Sequence, residues 1–147
     1  MAFPRLLSLP RLVIGSAFLA GYVLLDWASY IEPFGAFGIT PWNPPTGLSF
    51  VLILIFGQRF LPLIFVAPLL ADIIVRRMPL PLHIELLSCL TIGAGYGFAA
   101  ISLLRPRLKF DVSLSSMRDM VLLMLAAVAS AAIVSALHVL LLCLTGL

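Results

Sequence analysis

Charge is what this chain has least of. Only 10% of its 147 residues are Asp, Glu, Lys or Arg, against about 25% in an ordinary soluble domain. The net charge of +3 is modest, so the basic residues read as orienting charges at a membrane rather than a nucleic-acid surface. Cysteine is equally scarce. Cys89 and Cys143 lie far apart inside apolar stretches, which excludes a disulfide framework or a paired-cysteine metal site and casts both as buried small hydrophobes. No soluble domain fits beside what remains, because 63% of the chain is hydrophobic and its mean hydropathy is +1.20. The composition is that of an all-α, polytopic integral membrane protein.

A helix needs about 17–25 apolar residues to cross the hydrocarbon core. On that scale the chain divides into about five spans, near 12–31, 47–58, 60–75, 83–104 and 120–144, after a short N-terminal segment 1–11. Arg5 and Arg11 before the first apolar run imitate a secretory signal, but the run continues to Ile31 without a cleavage pattern, so it reads as an uncleaved span. The second and third spans are short. They are separated at Gly57-Gln58-Arg59 because one continuous helix would place Arg59 in hydrocarbon. With the split and a cytoplasmic N-terminus, Arg5, Arg11, Arg59, Arg105, Arg107, Lys109 and Arg118 fall inside and only Arg76 and Arg77 outside, as the positive-inside rule requires. Asp111–Asp119 has the pattern of a helix start with Ser113 as its cap.

Few polar residues lie within the spans, and each has a plain structural reading. Asp26 faces the loop after the first span, with Trp27 and Tyr30 as interfacial anchors. Asp72 stands four residues before Arg76, the spacing of a helical ion pair. His83 and Glu85 open a span and face interfacial water. His138 is expected to bond a backbone carbonyl, since no second metal ligand lies at helical spacing. Yet Asp26, Asp72, His83 and Glu85 all fall on the outer side, and together they outline a polar outward-facing pocket.

The segment Pro41-Trp42-Asn43-Pro44-Pro45-Thr46-Gly47 falls on the same side and interrupts the hydrophobic sequence most sharply. Its prolines and glycine oppose a helix, and irregular backbone at membrane depth survives only where protein or water satisfies it. A proline-rich connector accounts for it. A preformed sensing wedge is the functional alternative, built from Trp42, Asn43, Pro44, Pro45 and Gly47, with Thr46 capping the next helix and Gly47 admitting another backbone. Gly93 and Gly97 form a Gly-x-x-x-Gly pair, and Ala129 and Ala132 belong to a small-residue face on the last span. Both suit close helix packing, within the chain or in a homodimer. Those glycines have no strand before them and no Lys-Ser/Thr after them, so they are not a nucleotide loop.

The order Trp42-Asn43-Pro44-Pro45-Thr46-Gly47, an apolar stretch, Gly57-Gln58-Arg59 and a second proline-punctuated stretch carrying Asp72 resembles the membrane-associated sensor domain of the first type. That resemblance implies a bacterial inner-membrane input module that senses a small ligand or membrane state. Its partners would be the bilayer and a histidine kinase or diguanylate cyclase output, without cofactor, metal, nucleic acid or catalysis of its own. Such domains usually have about eight spans. This chain supports about five and carries no kinase nucleotide motif and no Gly-Gly-Asp/Glu-Glu-Phe signature, so the expectation is a truncated or stand-alone input module. A solute-binding component of an uptake transporter is the alternative reading of the same outer pocket.

Overall fold

The computed structural model describes residues 9–30, 43–78 and 80–146, and among these it contains helices and no strand. The helices are α1 (Leu9–Ser29), α2 (Pro44–Phe56), α3 (Leu61–Ala71), α4 (Leu82–Leu103) and α5 (Met117–Thr145). A 3-10 turn, Gln58–Phe60, leads into α3, and a π-helical turn, Asp72–Arg76, continues it. Among the described residues four helical segments are long and apolar enough to cross a membrane: Arg11–Ser29, Gln58–Arg76, Leu82–Leu103 and Met117–Thr145. The apolar helix α2 is shorter. The chain is a polytopic helical membrane protein.

Helices α1, α2, α4 and α3 form a closed ring in that order, each packing on the next, and α5 lies outside against α4. Their directions follow from paired contacts. Positions Gly15 and Asp26 of α1 meet Leu63 and Arg76, so α1 and α3 run parallel. Gly97 and Cys89 of α4 meet Leu61 and Asp72, so α4 runs against α3. Gly95 and Ser88 meet Val134 and His138, so α5 runs against α4. The centre is filled by Phe18, Phe50, Ile53, Ile64 and Tyr96, all buried, with the Phe50 and Tyr96 rings edge to face at 6.2 Å between centroids.

The helix limits differ from the sequence-based ones where local chemistry overrides hydropathy. Helix α2 starts at Pro44, not Gly47, because two prolines at the first helical positions give up amide groups that have no intrahelical partner there. Asn43 before them stays out of the helical region, at φ −126° and ψ 74°, as the proline that follows requires. Thr46 therefore does not cap. Its hydroxyl lies inside the first turn and donates to the Asn43 carbonyl at 2.7 Å. The helix stops at Gly57, whose φ of 88° and ψ of 175° belong to glycine alone. Helix α5 starts at Met117, and its cap is Ser116 rather than Ser113. The Ser116 hydroxyl oxygen accepts from the Asp119 amide at 3.2 Å, while Ser113 is held by Asp111 in a separate turn.

Antiparallel packing gives the bundle two unlike ends. One collects Asp26, Asp72, Arg76 and Glu85. The other collects the α2–α3 junction with Arg59 and the α4–α5 connection with Arg105, Arg107, Lys109 and Arg118.

Candidate functional site

Asp26 lies in the last turns of α1, where only 3% of its surface is exposed. A carboxylate so placed needs a cation, and Arg76 provides it from 50 residues away: its Nη2 donates to Asp26 Oδ1 at 2.7 Å. The other arm of the guanidinium, Nη1, donates to Asp72 Oδ1 at 3.0 Å. One arginine thus holds a carboxylate of its own helical segment and one of α1.

The π turn sets up this reach. Pro68, buried inside α3, has no amide proton to continue the regular ladder. Four residues later the ladder widens, and the Arg77 amide bonds the Asp72 carbonyl five residues back. Arg77 and Met78 then take left-handed conformations at φ 56° and 52°. For residues with a Cβ such conformations are strained, and single-turn π segments and strained backbone often accompany functional sites.

Helix α4 supplies the remaining wall. Ile84, Glu85, Ser88 and Cys89 make up its buried face at this level. The Cys89 thiol points at Asp72 Oδ2, 3.7 Å away, and Glu85 lies beside Asp72. Tyr22, buried one turn before Asp26, closes the cluster from α1. Three carboxyl groups therefore gather around one guanidinium, and three of the cluster's buried polar atoms have no partner among the described residues: Asp26 Oδ2, Glu85 Oε2 and Arg76 Nε. Ser88 extends the polar layer to α5 through a 2.9 Å hydrogen bond with His138 Nδ1.

This arrangement departs from the sequence-based site in several ways. Asp26, Asp72 and Glu85 do converge, but as a closed ion-pair centre. Asp26 does not face the loop, and Glu85 is 3% exposed rather than in interfacial water. His83 stays outside the cluster. It is exposed on the rim of an apolar groove of about 620 Å³ that runs past Phe65 and Leu86 to Cys89. His138 bonds a serine hydroxyl, not a backbone carbonyl. Cys89 is buried as expected, whereas Cys143 is exposed. Among the described residues no three His, Cys, Asp or Glu side chains take up a metal-binding arrangement.

Of the proline segment, Pro41 and Trp42 lie outside the described residues. Asn43 is exposed, Pro44 half-buried and Pro45 fully buried. Gly47 does not admit a neighbouring backbone, since a Cβ there would meet nothing within 4 Å. The glycines of α4 are different: a Cβ at Gly93 would strike the Phe65 ring, and one at Gly97 would lie 2.8 Å from Leu61. Ala129 and Ala132 are exposed, Ala129 on the wall of a groove between α4 and α5, and α5 meets α4 closely through Val134, which abuts Gly95. The Arg76–Asp26 bridge, the Cys89 contact and the Ser88–His138 bond escaped sequence reasoning. A usable signal for the first existed, because Arg76 and Arg77 are the only cations assigned to the side on which Asp26 lies.

Comparison with known proteins agrees with this architecture. The MASE1 family model, which describes a membrane-associated sensory domain, matches residues 10–146. No curated protein and no solved structure matches the chain. With nearly its whole length matched, the chain belongs to the MASE1 family.

Proposed function

We propose that this MASE1 chain is a bacterial inner-membrane input module in which the Arg76 cluster is the element that the stimulus biases. The observation that carries this reading is the bridge from Arg76 to both Asp26 and Asp72. It ties α1 to the π turn beside α4, in a place where two carboxylate oxygens and one guanidinium nitrogen have no partner among the described residues. A centre of this kind has two arrangements within reach, one with the arginine on α1 and one with it withdrawn to Asp72. A small ligand or a change in the membrane shifts the balance only through its differential affinity for the two packings.

The positive-inside rule puts the basic end, with Arg59, Arg105, Arg107, Lys109 and Arg118, in the cytoplasm. The cluster then lies toward the outer face, and the shift travels along α1, α3 and α4 to the end from which a histidine kinase or diguanylate cyclase would be addressed. Asn43, Pro44 and Pro45 contribute as the rigid start of α2 at the same end of the bundle as this centre. The chain itself performs no catalysis in this scheme.

The test is a chimera in which the chain drives a kinase reporter. Asp26→Asn and Arg76→Gln are expected to move basal output away from wild type while membrane insertion is retained. Wild-type output from correctly inserted forms of both variants would remove the cluster as the switching element.

A further inference from the structure

At the opposite end of the bundle, a second groove of about 420 Å³ runs between α4 and α5. Phe98, Ala99, Leu122, Leu125 and Ala129 form its walls, and Leu108 from the connecting loop closes one end. We propose that this groove binds the acyl chain of an anionic phospholipid whose phosphate is held by the cations at its rim.

Two of those cations are fixed by contacts with the groove itself. The Arg105 guanidinium sits 5.7 Å from the centroid of the Phe98 ring. The Arg118 Nη2 donates to the Leu108 carbonyl at 2.5 Å. Arg107 and Lys109 are exposed in the same loop. The nearby acids do not cancel them, because Asp111 and Asp119 are outnumbered by the four cations Arg105, Arg107, Lys109 and Arg118, and the closest approach of Arg118 to Asp119 is a loose 4.0 Å. An apolar channel ending in a net positive rim complements a hydrocarbon tail joined to a phosphate.

Depth agrees with this occupant. Helix α4 has 22 residues, about 33 Å at 1.5 Å per residue, and the hydrocarbon core is about 30 Å thick. Its Leu103 end therefore reaches the headgroup layer, where each basic side chain favours anionic lipid by about fivefold. The lipid would brace α5, which packs chiefly on α4 alone. The inference is independent of the sensory role.

Quenching by brominated lipid tests it on the full chain. Trp27→Phe and Trp42→Phe remove the native indoles, and Phe98→Trp places a reporter in the groove wall. The host is a phosphatidylcholine nanodisc carrying a minor share of brominated phosphatidylglycerol or of brominated phosphatidylcholine. The groove reporter is expected to be quenched at least about fivefold more effectively by the anionic lipid, the preference one basic side chain supplies, with the preference falling as salt is raised. Adding Arg105→Gln and Arg118→Gln should lower the ratio severalfold toward one. Trp27 as the sole reporter, on the lipid-facing side of α1, should give a ratio near one throughout. Equal quenching by the two lipids at the groove reporter overturns the proposal. So does protection from both that disappears on dilution into empty discs, which would mean that a second copy covers the groove. Because the salt dependence is read with the rim intact, a misfolded charge variant does not blunt the test.

Discussion

The Arg76 guanidinium and the Asp26 carboxylate meet at 2.7 Å across 50 residues of chain, joining the end of α1 to the π turn after α3. Both are largely shielded, with side-chain exposures of 21% and 4%, so the pair is not an ordinary surface salt bridge of little worth. Removing one member strands the other.

Arg76→Gln should therefore destabilise the protein by about 3 kcal/mol, the lower part of the range for a broken buried pair, since the arginine keeps some solvent contact. Replacing both residues together, Asp26→Leu with Arg76→Met, should cost less than Arg76→Gln alone, because it leaves one buried carboxylate, Asp72, without the guanidinium instead of two. Reversible unfolding in mixed micelles checks this. A double variant weaker than the single one would contradict it.

The glycines should divide by their surroundings. Gly93→Ala drives a methyl into the Phe65 ring and is expected to cost about 1–3 kcal/mol. Gly47→Ala, in a helix with open space at its Cβ, should stabilise by about 0.4–1 kcal/mol. Thermal unfolding of the two variants against wild type reads the opposite signs.

The start of α5 offers a local test. Ser116→Ala removes the side chain that accepts from the Asp119 amide and should cost about 1 kcal/mol of stability. Ser113→Ala should leave the helix as stable as before. Hydrogen exchange of the Asp119 and Met120 amides would register the difference.

Asp111, fully exposed in the α4–α5 loop, accepts hydrogen bonds from the Ser113 hydroxyl and amide and from the Ser115 hydroxyl. These hold its pKa below the ordinary 3.8. A depressed folded value means that the loop gains its full contribution above that ordinary value and loses it as pH falls through the lower one. Carboxyl-carbon NMR titration should place the Asp111 midpoint below 3.8. Ser113→Ala with Ser115→Ala should raise it toward the free value.

Much of the fold was legible because lipid imposes it. Apolar lengths marked the helices, and Gly57-Gln58-Arg59 marked the break between α2 and α3, where the backbone takes a conformation open to glycine. Helix starts were less legible, since one capping hydrogen bond at Ser116 and the missing proline amides in the first turn of α2 decide them, and hydropathy sees neither. The candidate site was half visible. Asp72 and Arg76 share a helix face and announce their pairing by spacing, whereas Asp26 and Arg76 meet only because α1 and α3 run parallel. The sides on which Ala129, Ala132 and Gly47 lie were not legible for a related reason: small residues permit close approach but do not say from which side a neighbour comes.

The most direct test of the account is the distance between spin labels on α1 and α5, read by pulsed electron resonance in nanodiscs. Leu12 and Met117 are suitable positions, being 70% and 76% exposed. If the Arg76–Asp26 bridge sets the packing of α1, Asp26→Asn should shift the Leu12–Met117 distance by at least about 1–2 Å or split it into two populations. A distance distribution identical to wild type, in a correctly folded variant, would contradict the claim that this bridge holds the bundle in one of two arrangements.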